Sequence, residues 1–254
     1  MAVTGIEVWL GQRFCGPPGV ANGGYACGSL AALLGGAAEV TLRRPLPLGR
    51  RLWARHNDDG ILVVEDGDAL LAEARPVVAE VELAVPGAVS LEEARAVAGR
   101  SRYYDAPVFP GCFVCGPARA PGDGLRIFPG QSAGRPRWAA PWTPDRSVAR
   151  ADGTVRPEVV WAALDCPSGL AAAEAAGLPG DTAVLLGRMT AGLAALPRAG
   201  DQCRVVAWPG GCDGRKLAAG SALLGPDGEV LAAARTVWLT VPRPAPAPAA
   251  GATS

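Results

Sequence analysis

Lysine is nearly absent from this 254-residue chain: of its 24 basic residues, only Lys216 is not an arginine. Histidine occurs once, at His56. A Ser-His-Asp triad would therefore have to use His56. That residue falls on a segment with strand character beside a turn, where a lone histidine is expected at the surface. Neither sign of charge predominates: 24 acidic residues balance 24 basic ones. That balance gives no basic excess for a nucleic acid and no acidic tail. No apolar run reaches the roughly 18 residues of a membrane span. The opening MAVTGIEVWLGQRF lacks the basic start and apolar centre of a signal peptide. The expectation is a cytoplasmic protein that uses no membrane. Its seven cysteines, an odd number, are then expected as reduced thiols.

Hydrophobic residues make up 49% of the chain, ample for a buried core. The first strong feature is the glycine turn Gly19-Val20-Ala21-Asn22-Gly23-Gly24, followed by YACGSLAALLGG. An Asn near the start, no proline, and a Gly35-Gly36 stop predict a helix of about three turns. It is apolar or small on every side, so it should be buried all round. The period then changes. AEVTLRRPLPL, RRLWARH and ILVVEDGDALLAEARPVVAEVEL read as about four antiparallel strands, with hairpin turns at Asp59-Gly60 and Asp66-Gly67. Ser90 and Glu93 form the pattern of a capping box, predicting a short helix over 90–100.

After a Gly- and Pro-rich stretch at 101–124, the plan repeats. GLRIFPG and RPRWAAPW supply short strands. Pro157 and Glu158 suit the first turn of a helix over VVWAALDCPSGLAAAEAAG, which Pro167 should kink or divide. Strands are expected at about 182–195, 202–209, 214–224 and 229–240, with a hairpin at Asp227-Gly228. Helix then four strands, twice, is the signature of a duplicated unit rather than a solenoid. Because helices do not alternate with strands, a parallel doubly wound sheet is not expected.

ANGGYACGSLAALL followed by EVTLRRPLPLGRRL resembles the helix-strand core of the hotdog-fold acyl-CoA thioesterases. GCFVCGPARAPGDGLRIFPG and PEVVWAALDCPSG resemble segments of tandem-hotdog, thioesterase-like proteins, and the resemblance runs over about residues 10–240. It implies an α+β double hotdog: two units, each a long buried helix wrapped by an antiparallel sheet, packed as an intramolecular dimer. The units would be 1–100 and 124–241, joined by 101–123, with 242–254 a disordered tail. Further pairing into a homodimer of such chains stays open.

A thioesterase must stabilise the oxyanion that develops on the thioester carbonyl and aim a nucleophile or water at its carbon. Unpaired N–H groups at a helix start do the first, and glycine admits the ligand to the backbone. Asn22-Gly23-Gly24-Tyr25 has that character. The resemblance implies that Asn22 stands where many relatives carry a histidine of a His-Gly-Gly turn. An amide still donates a hydrogen bond but is no base near neutral pH. The resemblance also implies a carboxylate about nine residues after the start of that turn, serving the turn of the opposite unit. From Asn22 this count reaches Ala31; from Arg156 it reaches Asp165. The first half thus has the glycines without the acid, and the second the acid without the glycines.

The resulting expectation is one composite site hydrolysing a thioester of coenzyme A or of an acyl-carrier protein. Asn22 and Asp165 are its catalytic residues. Gly23, Gly24, Tyr25, Trp161 and Ser168 are its oxyanion- and substrate-binding residues. No cofactor and no metal is expected. The alternatives are a hotdog enzyme for elimination, isomerisation or cyclisation, and a non-catalytic acyl-binding protein. Cys112-x-x-Cys115 has metal-like spacing, but zinc would need two further ligands, and no second paired cluster exists. Cys15 would approach it only if folding brought the two together. Cys27, Cys166 and Cys203 read as small core residues. Arg43, Arg44, Arg50 and Arg51 are generic candidates for coenzyme A phosphates.

Overall fold

The computed structural model describes residues 5–77, 85–87 and 89–244. The glycine turn opens helix α1 (Gly23–Ala31), whose cap is Asn22: its Oδ1 accepts the Tyr25 N–H at 2.9 Å. The helix closes at Ala31, a turn earlier than its glycine stop suggests, and residues 32–35 form turns. Strands β2 (Ala38–Leu42), β3 (Arg51–His56), β4 (Leu62–Asp66) and β5 (Ala69–Pro76) follow. The Asp-Gly pairs do make the β3–β4 and β4–β5 turns. Gly60 and Gly67 take φ of 75° and 59°, a region nearly closed to residues with a Cβ. A strand β1 (Ile6–Trp9), which the sequence did not announce, pairs with β3. The expected continuation of the β5 strand past residue 77 lies outside the described residues, as does the expected disordered tail 242–254 from residue 245 onward; its first residue, Pro242, instead ends the last strand.

Helix α2 (Leu91–Val97) has the predicted cap, with Ser90 Oγ accepting the Glu93 N–H at 3.0 Å. The Glu93 carboxylate turns away to Arg137, 2.7 Å from its Nη2. The expected strand at 124–130 shrinks to β6 (Gly130–Gln131), paired with β7 (Trp138–Trp142). Leu125 and Ile127 instead send their N–H groups to Phe113 O and Val114 O at 2.8 and 3.0 Å. The 101–129 stretch is therefore an ordered loop, pinned by the fully buried Phe113, Val114 and Ile127.

Helix α3 (Pro157–Ala175) is continuous, so Pro167 does not start a second segment. Hydroxyls bind carbonyls beside the proline: Ser221 Oγ donates to Leu164 O and Ser168 Oγ to Asp165 O, both at 2.7 Å. That extra bonding offsets the disturbance a proline brings to a helix interior. Strands β8 (Thr182–Leu193), β9 (Cys203–Asp213), β10 (Lys216–Leu224) and β11 (Val230–Pro242) complete the chain.

The eleven strands among the described residues form one antiparallel sheet in the order β1-β3-β4-β5-β2-β8-β11-β10-β9-β7-β6. The fold is α+β, with few helices and one large sheet. The strands from each half stay together and meet where β2 pairs with β8, Ala38 opposite Ala191. Helix α1 packs on β2, β5 and β8, and α3 on β7 to β11. The two helices run antiparallel in direct contact. A Cβ on Gly24 would lie 2.4 Å from Asp165 Cβ, and one on Gly28 2.7 Å from Glu158 Cα. Val159 through Leu164 are buried without a break. Each large apolar side chain in that run contributes about 1.5–3 kcal/mol of burial, which holds the helix pair in the core.

Candidate functional site

The antiparallel helix pair sets the start of α1 against the middle of α3. There the Asn22 Nδ2 atom donates to Asp165 Oδ2 at 2.8 Å, and the Gly24 N–H donates to the same oxygen at 3.0 Å. Asn22 and Asp165 are both buried, at 2% and 1% exposure. Glycine at 24 is what lets the backbone come this near, because any side chain would occupy the carboxylate's place. Asp165 Oδ1 is buried and takes no hydrogen-bond partner among the described residues. Burial pushes the Asp165 carboxyl up to about 7; the Gly24 N–H opposes that shift and the nearby Cys112 sulfur adds to it.

Asn22, Gly23 and Asp165 line one cavity of about 140 Å³. Its other walls are mainly apolar, among them Tyr103, Phe109, Leu170, Leu186 and Trp238. Two of the N–H groups at the α1 start are already engaged, Gly24 by Asp165 and Tyr25 by Asn22. The Gly23 N–H has no hydrogen bond among the described residues. A free backbone donor at the wall of an apolar cavity, beside a buried carboxylate, is a constellation that can polarise a carbonyl and direct a proton transfer next to it.

Three residues expected to bind substrate lie elsewhere. Tyr25 stacks on Phe14 with ring centroids 3.8 Å apart and stays off the cavity. Trp161 points to a separate cleft of about 650 Å³ at the other ends of the helices. Ser168 is fully buried, donating to Asp165 O and receiving Trp238 Nε1 at 3.1 Å and Thr236 Oγ1 at 3.0 Å. It fixes α3 against the sheet and does not reach the cavity. A helical residue of small or mixed type gives no sign in sequence of which way it faces when the helix is buried on every side.

The separate cleft is lined by both Ala31 and Pro157. Ala31 is where the counting rule sought an acid, and Pro157 follows the Arg156 that matches Asn22. This second location accordingly offers neither the carboxylate nor the glycine N–H groups.

His56 is exposed on its hairpin, with Nδ1 3.1 Å from Gly60 O. Gly130-Gln131-Ser132-Ala133-Gly134 has the Gly-x-Ser-x-Gly spacing of a nucleophile elbow, but an elbow needs a strand-to-helix turn. Here the segment is the β6–β7 hairpin, with Ser132 N bonded to Arg137 O. Three of the four candidate phosphate-binding arginines are in ion pairs instead: Arg43 with Glu73, Arg50 with Asp66, and Arg51 with Glu7. Cys15 approaches the cysteine-rich loop, but its sulfur meets Gly111 O and Arg119 Nη2, not the Cys112 pair. Sequence reasoning missed the position of Cys166. Its sulfur lies 3.7 Å from Cys112 Sγ and lines the same cavity. Its place beside Asp165 on α3 was the available signal.

No helix among the described residues is long and apolar enough to cross a membrane. No protein-family model matches the sequence. A search of curated proteins likewise gives no match. Solved structures do match over nearly the full length. A tesB protein of Mycobacterium avium subs paratuberculosis aligns with 93% of this chain and 92% of its own, at TM-score 0.60 and 15% identity. A candidate thioesterase of Novosphingobium aromaticivorans aligns over 92% and 94%, at 0.57 and 14%. A candidate thioesterase II of Thermobifida fusca aligns over 92% of both chains, at 0.57 and 14%. Identities this low speak to architecture alone: the chain shares the fold of these thioesterase-named structures from end to end.

Proposed function

We propose that the protein is a double-hotdog thioesterase with one composite active site. Residues 1–100 and 124–241 would be the two units and 101–123 the segment joining them. The observation that carries the reading is the Asn22–Asp165 hydrogen bond, which joins the glycine turn of one half to the acid of the other at the wall of an apolar cavity. The acyl chain occupies the cavity. The Gly23 N–H holds the thioester carbonyl, and its hydrogen bond strengthens as charge builds on that oxygen; the Asn22 amide, expected beside it, directs its N–H groups to Asp165 Oδ2 and Cys166 Sγ at 2.8 and 3.5 Å. The Gly24 N–H, first expected in that role, holds Asp165 in place. Asp165 takes a proton from water as the water attacks, and the thiolate of coenzyme A or of a carrier protein leaves. The end-to-end likeness to thioesterase-named structures supports the fold that this requires.

The test is release of free thiol from a panel of acyl-CoA and acyl-carrier-protein thioesters. Hydrolysis by the natural chain, lost in Asp165→Asn, supports the reading. Binding without thiol release from any panel member assigns the protein to the acyl-binding class instead. Conversion of the acyl group with its thioester intact would point to proton abstraction beside the carbonyl, which the same donor and acid also serve.

A further inference from the structure

The cysteine-rich loop and helix α3 bring three thiols to one point of the cavity wall. Cys112 Sγ and Cys166 Sγ are 3.7 Å apart, and the sulfurs of Cys112, Cys115 and Cys166 all lie within 4.8 Å of one another. None is in a disulfide. The loop is shaped for this convergence. Gly116 closes the turn so tightly that a Cβ there would sit 2.4 Å from Cys112 O. Arg119 braces the loop from outside, donating to Gly111 O and Arg13 O at 2.8 Å each.

Two of these features separate a metal site from a thiol pair. A disulfide joins two sulfurs, and a third has no part in it. A tetrahedral ion with metal–sulfur bonds of about 2.3 Å requires sulfurs roughly 3.8 Å apart, close to the observed Cys112–Cys166 separation. Cysteine binds such an ion as the thiolate.

We infer that Cys112, Cys115 and Cys166 bind one thiophilic divalent cation, Zn²⁺, at the wall of the cavity. Each thiol passes its proton to solvent as its sulfur–metal bond forms. The three sulfurs fill three corners of a tetrahedron. The fourth faces the cavity that Asp165 also lines, and takes water or a ligand atom. Such a position belongs to open zinc sites rather than to closed structural ones. Thiolate donors favour zinc over magnesium or calcium. The inference does not rest on thioester hydrolysis, which is measured separately on chelator-treated protein.

The test uses the reduced full-length chain, freed of metal with a chelator and titrated with cobalt(II). One equivalent should bind with a thiolate-to-cobalt charge-transfer band and tetrahedral d–d absorption, and added zinc should displace it. Cys112→Ser and Cys166→Ser should each weaken zinc binding by more than about 100-fold, beyond what loss of an outer partner costs. Cys212→Ser, exposed and outside the cluster, should leave binding unchanged. A natural chain that gives no thiolate–cobalt band overturns the inference, as does a band undiminished in both variants. Should the serine variants fail to fold, X-ray absorption of the zinc-loaded natural chain decides. Three sulfur neighbours at about 2.3 Å are expected, and two or fewer overturn it. A chain that takes up no metal but forms a Cys112–Cys166 disulfide with hydrogen peroxide also overturns it.

Discussion

The Asn22 amide donates to the Asp165 carboxylate at 2.8 Å across 143 residues of chain. Each side chain is buried, Asn22 at the start of α1 and Asp165 in the middle of α3. A buried carboxylate is costly unless hydrogen bonds replace its lost water, and here Asn22 and Gly24 supply two to Oδ2 while Oδ1 has no partner among the described residues. The half-satisfied group faces a mainly apolar cavity, and the proposed catalytic role rests on that placement.

Replacing the acid tests that account directly. Asp165→Asn keeps the shape and can still accept from Asn22 and Gly24, but it cannot take a proton. Thiol release should fall about 10²- to 10⁴-fold with the fold intact by circular dichroism. Full activity in this variant would remove Asp165 from the chemistry.

The helix contact predicts a steep size dependence. Gly24→Ala and Gly28→Ala place a Cβ within 2.4 and 2.7 Å of neighbouring atoms, mostly on α3 backbone or Cβ positions that cannot swing aside. Each should cost about 1–3 kcal/mol or more in chemical denaturation. Gly36→Ala, whose Cβ meets nothing within 4 Å, should change stability by less than about 0.5 kcal/mol. Equal effects at all three would contradict the close α1–α3 packing.

Ser168 links α3 to the sheet through Asp165 O, Trp238 Nε1 and Thr236 Oγ1. Ser168→Ala removes one of two acceptors open to each donor: Trp238 Nε1 keeps Thr236 Oγ1 at 3.1 Å and Thr236 Oγ1 keeps Ala219 O at 3.3 Å. Denaturation should show a loss of about 0.5–1.5 kcal/mol. Because Ser168 does not line the cavity, KM for a thioester should move little.

Glu93 gives a pH-dependent stability. Burial alone would raise its carboxyl, yet the hydrogen bond from Arg137 and the charge of that guanidinium hold it below the usual carboxylate range. A depressed folded-state pKa contributes stability above the unfolded pKa, and that contribution is lost as pH falls through the folded one. Glu93→Gln, which leaves the buried Arg137 short of its ion-pair partner, should therefore destabilise at neutral pH. The penalty should shrink below about pH 4, where the natural carboxyl is itself taking up protons. Thermal melts of both proteins from pH 7 to pH 3 would show the gap closing; a constant gap would refute it.

Much of the architecture was legible because its signals are local. Asn22 followed by glycines marks a helix start, Asp-Gly pairs mark hairpins, and the helix-then-strands order occurs twice. The same local logic failed at Pro167, where Ser221 from another strand helps keep the helix continuous, and at 124–130, whose backbone pairs with a loop instead of a strand. It also failed for Tyr25, Trp161 and Ser168. On a helix buried all round, residue type does not tell which neighbour each side chain meets.

The sequence by itself determined the elements, their duplicated order, and the separation of glycine turn and acid into different halves. Backbone propensity, capping and turn chemistry act within a few residues, so they are written locally. Tertiary structure alone decided that the Gly24 N–H holds Asp165, that the cavity excludes Tyr25 and Trp161, and that Cys166 joins Cys112 and Cys115. Those relationships depend on how closely α1 approaches α3 and where the 101–129 loop is pinned. Both are set by packing between residues about a hundred positions apart or more, a distance over which no local pattern carries information.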